Sequence, residues 1–336
     1  MKCKGIIAVS KGDVRLIDVE VTDPAPKEIQ VRMVSTLISA GTERAHILAL
    51  DNSNQDFPYI PGYCCAGIVE KVGEGAESRF KAGDRVSCFA VDVGHREIGN
   101  VPIRCAVKLP DGVPFDYAAF TALGQTSLQG VRKCKIEIGE SAAVLGLGIV
   151  GQLALQLARV NGAHPSVGID RVQKRLEIAL SCGADYAVSN ETAALPELLK
   201  PITGGRGPAV VLDSTGFPDA VAQACEAAAN YARICILGCP RGLSEFNFYR
   251  HVQKKSITVI GAHAVDSVPE EQSYPHFWTF VDDASCFLAF VKKGSVHIDP
   301  LIGDRISWKD AESMYRKILS WDQSLLGIVI NWPSAE

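Results

Sequence analysis

Gly146, Gly148 and Gly151 carry the spacing G-x-G-x-x-G directly after a short apolar run, Ser141-Ala-Ala-Val-Leu. An amphipathic segment, Gln152 to Val160, follows and reads as a helix. The chemistry that suits this order is the binding of a pyrophosphate. The first glycine permits a tight turn, the second admits backbone close to the phosphates, and the third lets the helix pack closely. Ile149 and Val150 complete the turn, where the start of a helix offers N–H groups and a positive dipole end. Nineteen residues beyond Gly151, the strand-like run Pro165 to Asp170 ends in a carboxylate. An acid there accepts hydrogen bonds from both ribose hydroxyls of NAD and repels a 2′-phosphate. Arg171 and Arg175 pull the other way, since either binds that phosphate. The expected cofactor is therefore NAD, with NADP the lesser alternative.

The elements that would position these groups alternate. From Asp116 to about Val265, helix-like and strand-like runs take turns. Val210 to Gly216, Arg233 to Gly238 and Ser256 to Gly261 read as buried strands ending in glycine. That is the pattern of a doubly wound parallel sheet in an α/β protein. Ser214, Thr215, Gly216, Leu237 and Gly238 then fall at its carboxyl edge and are expected along the ribose and nicotinamide. Gln125 and Thr126 open the first helix of this region and are placed to reach a phosphate or the nicotinamide ribose.

Residues 1–115 are strand-and-turn territory, with alternating runs such as Ile29 to Val34 and Ala66 to Val72 punctuated by glycine and proline. They predict a small, mostly antiparallel, barrel-like domain, interrupted by one helix over Thr42 to Leu50. Residues 116–265 form the nucleotide domain, and 266–336 a C-terminal segment with two helices and a closing strand.

A chain of 336 residues is long enough for two cores, and 47% apolar residues suffice to fill them. A net charge of −4 without a basic cluster excludes an electrostatic footprint for nucleic acid. Eleven cysteines without a signal segment point to free thiols in a reducing, cytoplasmic setting. No apolar run reaches membrane-spanning length.

From end to end the chain resembles the medium-chain dehydrogenase/reductase family, the zinc alcohol dehydrogenases. Gly41-Thr-Glu43 is similar to that family's Cys-Gly-Thr-Asp segment, and Pro61-Gly-Tyr-Cys64 stands where the family reads Pro-Gly-His-Glu. Gly67 to Gly73, Gly83-Asp-Arg-Val86, the glycine turn and Leu326 to Ile330 complete the likeness. The resemblance implies a GroES-like β-barrel catalytic domain beside a Rossmann domain, with the active site in the cleft between them. It also implies pairing of the Ser256–Gly261 strand across a homodimer or homotetramer.

The departures bear on mechanism. The resemblance puts three zinc-ligand positions at Ala40, Tyr63 and Ala122, and none of these side chains binds zinc as the family does. Nor is there a close-spaced run of four cysteines for a structural zinc. No metal is therefore expected, and hydroxyl donors must stabilise the oxyanion. Thr42 keeps a hydroxyl that relays protons in the resembling enzymes, or else caps a helix. Tyr63 is expected to face the substrate, as a donor or, with a lowered pKa, as acid/base. Glu43 is the third candidate, as a base or as a support for Tyr63. His46, His95, Cys64 and Cys65 read as structural residues.

The expected activity is zinc-independent, NAD-dependent hydride transfer between nicotinamide and a small-molecule secondary alcohol or ketone, polyol- or sugar-like. One alternative is an NADPH-dependent quinone or enoyl (C=C) reductase. A second is a non-catalytic dinucleotide-binding sensor or scaffold.

Overall fold

The computed structural model describes residues 2–89, 93–263 and 278–333. In chain order the elements begin with β1 (Lys2–Ser10), β2 (Asp13–Glu20), β3 (Glu28–Ile38), α1 (Ala40–Ile47), β4 (Cys64–Val72) and β5 (Arg85–Phe89). Next come β6 (Ile98–Pro102), β7 (Ala106–Lys108), α2 (Phe115–Ala118), α3 (Thr121–Lys133), β8 (Ala142–Leu145) and α4 (Ile149–Val160). Then follow β9 (Ser166–Asp170), α5 (Gln173–Ser181), β10 (Tyr186–Ser189), α6 (Leu195–Ile202), β11 (Val210–Asp213) and α7 (Ala220–Ala227). The last are β12 (Arg233–Ile236), α8 (Phe248–His251), β13 (Thr258–Gly261), α9 (Phe280–Lys293), β14 (Ile302–Ser307), α10 (Ala311–Leu319) and β15 (Gly327–Asn331).

Two compact units result. One comprises Met1–Ala122, Pro269–Lys293 and Ile302–Glu336, the other Leu123–Val268 and Gly294–Leu301. The division thus falls seven residues beyond 115. Gly294–Leu301, expected with the C-terminal return, belongs to the second unit. The cause is local. Gln156 on α4 exchanges two hydrogen bonds with the backbone of His297, at 3.2 and 2.7 Å, and the turn Asp299–Leu301 packs on α5.

The second unit holds a six-stranded sheet in the order β10-β9-β8-β11-β12-β13, every pair parallel. Counting β8 as first, this is the doubly wound order 3-2-1-4-5-6, whose ligand crevice opens where the order reverses. The central strands β8 and β11 are short, apolar and fully buried, as strands covered on both faces must be. At the outer edge lies β13, with Val259 exposed. In the first unit, β1 and β2 form a hairpin. The remaining strands order as β14-β15-β3-β4-β5-β7, with β6 on β3, antiparallel except for β14 and β15. Its core runs through Met33, Ile38, Ile47, Tyr315, Ile330 and Trp332.

Helix α1 starts at Ala40, two residues before the expected Thr42. Ser39 is its N-cap, and the Glu43 N–H bonds the Ser39 carbonyl at 2.9 Å, closing the first turn. Thr42 is therefore inside the helix and does not cap it. Among the described residues no helix is long and apolar enough to cross a membrane.

Phe287 on α9 has no exposed surface in the first unit. Phe287→Ala is expected to cost about 3–5 kcal/mol, read as a lowered urea midpoint with an unchanged slope.

Candidate active site

The glycine turn is built as its spacing demands. Gly146 has φ +79°, the left-handed region that favours glycine. A Cβ on Gly151 would stand 1.8 Å from the Gly146 carbonyl oxygen, so α4 reaches the turn only because this residue has no side chain. A Cβ on Gly148 would meet nothing within 4 Å. Gly148 is also the N-cap of α4 and supplies no side-chain cap, so the helix start presents backbone to an open cradle.

The surrounding groups brace that turn. Asp170, at the end of β9 and nearly buried, accepts the Leu147 N–H at 2.7 Å through Oδ2 and the Val172 N–H at 2.9 Å through Oδ1. Arg175 Nη1 lies 3.5 Å from Oδ2, whereas Arg171 is exposed. A carboxylate has about four lone-pair sites, so Asp170 keeps acceptor capacity for ribose hydroxyls. Ser214 Oγ donates to the carbonyls of Leu145 (3.0 Å) and Gly146 (2.7 Å). Thr215 bonds Asp213 Oδ1 through both its N–H (2.9 Å) and its hydroxyl (2.7 Å).

The hydroxyls expected to line the ribose are thus committed to the turn itself, because the chain doubles back at the strand ends. Gly216 (φ +72°) and Gly238 permit this: a Cβ on Gly238 would stand 2.8 Å from the backbone of Ser214. Leu237 is buried and donates its N–H to the Asp213 carbonyl at 2.9 Å. Burial pushes the Asp213 carboxyl above its ordinary range, against the lowering bonds from Thr215. Sequence reasoning missed Asp213, although its place before Ser-Thr-Gly marks a strand end.

Thr126 is half-buried on α3. Ser127, beside it, donates to the Val150 carbonyl at 3.0 Å and ties α3 to the first turn of α4. Two residues earlier, Gln125 is fully buried with neither amide atom bonded among the described residues. An open cradle at Gly148 and an uncapped helix start fit a dinucleotide.

In the first unit the catalytic candidates converge. The Tyr63 hydroxyl donates to Ser39 Oγ at 2.7 Å and also bonds the Thr42 hydroxyl. Its ring packs edge-on to Phe89 at 5.6 Å, and Phe89 stacks on Phe280 at 5.5 Å, which gives the phenol an apolar wall. Burial, with a smaller contribution from Cys64, holds the phenol well above the ordinary tyrosine value. The bonds from Ser39 and Thr42 offset this only in part. The condition for Tyr63 as acid/base, a lowered pKa, is not met; of the two alternatives the geometry shows the donor, to Ser39 Oγ. Ser39 was not foreseen, because a serine before a helix reads as an ordinary cap.

Glu43 bonds the Ser39 backbone rather than the Tyr63 phenol. Its side chain is fully buried, and Oε1 accepts the Ser39 N–H at 2.8 Å. The Tyr315 hydroxyl donates to Oε2, and His95 Nε2 lies 3.3 and 3.2 Å from the two oxygens. His95 Nδ1 pairs with Thr36 Oγ1 at 2.8 Å, which also accepts the Trp332 indole N–H at 3.0 Å. The close fit of His95 needs Gly62, where φ is +100° and a Cβ would lie 2.6 Å from the imidazole. His46 stacks on Tyr59 at 5.1 Å and accepts the Asn54 N–H at 2.8 Å. Cys64 and Cys65 are buried in β4, and burial pushes the Cys65 thiol up to about 12. Both are poor nucleophiles. Trp278 is half-buried.

A catalytic zinc does not fit the donor set. Ala40 offers no ligand atom, Ala122 is a buried apolar side chain, and the Tyr63 oxygen is engaged by two hydroxyls.

Two family models match the chain: an alcohol dehydrogenase GroES-like domain over residues 25–120 and a zinc-binding dehydrogenase over residues 150–283. L-threonine 3-dehydrogenase of Pyrococcus abyssi is 27% identical over 317 residues, covering 85% of this chain and 86% of its own. Quinone oxidoreductase of Rattus norvegicus is 28% identical over 307 residues, covering 89% and 88%. The crystal structure of galactitol-1-phosphate dehydrogenase from Escherichia coli superposes with a TM-score of 0.84 at 20% identity, covering 98% and 99%.

The two turn glycines separate folding from binding. Gly148→Ala is expected to leave stability within about 0.5 kcal/mol and to weaken NADH binding about tenfold by filling the cradle. Gly151→Ala is expected to lower both Tm and affinity, because its Cβ collides with backbone. Thermal melts and fluorescence titrations distinguish the two.

Proposed function

The chain belongs to the zinc-type medium-chain dehydrogenase/reductase superfamily, and from that premise we propose an NAD-dependent oxidoreductase that interconverts a secondary alcohol and its ketone without zinc. The observation that carries this reading is the convergence of Ser39, Thr42 and Tyr63 hydroxyls where the family resemblance puts metal ligands.

The chemistry supplied by bound NAD is acceptance of a hydride, returned in the reverse direction as NADH. The backbone from Gly146 to Gly151 receives the pyrophosphate, and Asp170 accepts the ribose hydroxyls through its remaining lone pairs. Arg175 is drawn toward Asp170, which leaves it less available to a 2′-phosphate.

A substrate oxygen takes the place of Ser39 as acceptor of the Tyr63 phenol. In ketone reduction Tyr63 gives its proton to the developing alkoxide, and the half-buried Thr42 relays a solvent proton back to the phenol through their shared bond. Oxidation runs the same hydroxyl chain in reverse. The apolar wall of Phe89 and Phe280 excludes water from the phenol and strengthens its hydrogen bond. L-threonine 3-dehydrogenase, by its name, acts at a secondary alcohol carbon, which supports the substrate class. A polyol or sugar alcohol is the finer form of the proposal, in a homodimer or homotetramer paired through β13.

The similarity to rat quinone oxidoreductase favours a second reading, NADPH-dependent reduction of a quinone or an activated C=C bond. There the same hydroxyls would hold an enolate, and exposed Arg171 would bind the 2′-phosphate. A higher affinity for NADPH than for NADH selects this reading.

Tyr63→Phe is expected to lower kcat about 100-fold, the usual scale of a lost acid/base group, with NADH affinity unchanged. Thr42→Val is expected to lower kcat about tenfold. Because burial raises the phenol, no gain in rate appears near pH 10, where an ordinary tyrosine ionises. Wild-type turnover in both variants overturns the proposal.

A further inference from the structure

Glu43 and Tyr315 stand 272 positions apart, on α1 and α10, and meet inside the first unit. Both are buried, as are Ser39, His95 and Thr36. A carboxyl group without access to water must find donors within the protein. Glu43 finds three: the Ser39 N–H on Oε1, His95 Nε2 between the two oxygens, and the Tyr315 hydroxyl on Oε2. The next bond outward runs from Tyr63 to Ser39 Oγ. Ser39 is therefore held by its backbone on one side and presents its hydroxyl to the phenol on the other.

We propose that Tyr315 is a remote positioning residue for the reaction. Together with His95 it orients the Glu43 carboxyl, Glu43 fixes the Ser39 backbone, and Ser39 aligns the Tyr63 phenol. This inference rests on the donor role proposed for Tyr63. Each link has a fixed geometry. Tyr315 is locked among the core residues of its unit, and α10 packs against α1 and β2. Trp332 donates to Thr36 Oγ1, which pairs with His95 Nδ1, and the tautomer with its proton on Nε2 lets His95 donate to Glu43. Losing the Tyr315 hydroxyl removes one of three donors, and the carboxyl turns about its remaining two. The Ser39 N–H then loses its fixed acceptor, and the phenol loses its alignment.

A role confined to packing would lower stability and slow catalysis by the same factor whether or not residue 63 carries a hydroxyl. A positioning role acts only through Tyr63, so a double-mutant cycle separates the two. Tyr315→Phe is expected to lower kcat about tenfold, with KM for the alcohol and NADH affinity unchanged. In the Tyr63→Phe protein the same change is expected to cost nothing further. An unchanged kcat in Tyr315→Phe overturns the inference, as does an equal loss in both backgrounds. Should Tyr315→Phe not fold, His95→Gln weakens the other side-chain contact on Glu43 and is expected to show the same dependence on Tyr63. If Tyr63→Phe alone leaves kcat intact, the donor role and this inference both fall. If Tyr63→Phe is slow and the Tyr315 effect is independent of it, only the inference falls.

Discussion

A carboxyl group sealed from water organises the first unit. Glu43 is surrounded by protein and bonded by donors from three separated parts of the chain: Ser39 before α1, His95 before β6, and Tyr315 on α10. Satisfying it fixes the start of α1, because the Ser39 backbone is bound from both directions. It also fixes where the C-terminal return docks, since Tyr315 and Trp332 reach the same network from α10 and the end of β15. The Tyr63 hydroxyl, the proposed donor, sits one bond outward from this interior network. Under the zinc-independent reading proposed above, no ion orients the donors, and buried polar bonding performs that work.

In the second unit the governing constraint is steric. The Gly146 carbonyl and the first turn of α4 lie so close that only glycine is tolerated at 151, while Gly148 is left facing open space. Ser214, Thr215 and Asp213 hold this arrangement from the neighbouring strand end. Their hydroxyls are engaged in shaping the backbone of the turn, the part proposed to receive the cofactor. Asp170 binds two backbone N–H groups and still has lone pairs to offer.

Local constraints were legible in the sequence, and distant ones were not. The glycine turn could be read because its tightest constraint, Gly151 against the Gly146 carbonyl, spans only five residues. The strands β8, β9, β11 and β12 could be read because a parallel sheet buries both faces and leaves short apolar runs. The misfit of a zinc donor set is read from the residue types at Ala40 and Tyr63. The partnership of Glu43 with Tyr315 left no trace, because no periodicity connects residues on α1 and α10. The direction of the Tyr63 shift depends on burial by Phe89 and its neighbours, which a sequence does not disclose. The start of α1 was misplaced for a related reason: Ser39 is anchored by a long-range network as well as by its own helix. The engagement of Ser214 with Gly146 likewise arises only when two strand ends come together.

The central claim is that hydroxyl groups take over the work of a metal ion in this dehydrogenase. Its most direct test is to dialyse the protein against a strong chelator, verify metal content by elemental mass spectrometry, and assay NADH-linked turnover on secondary alcohols and ketones. The account predicts full activity at far less than one zinc per chain and no gain on adding zinc. Activity that disappears with the metal and returns at one zinc per chain would contradict it.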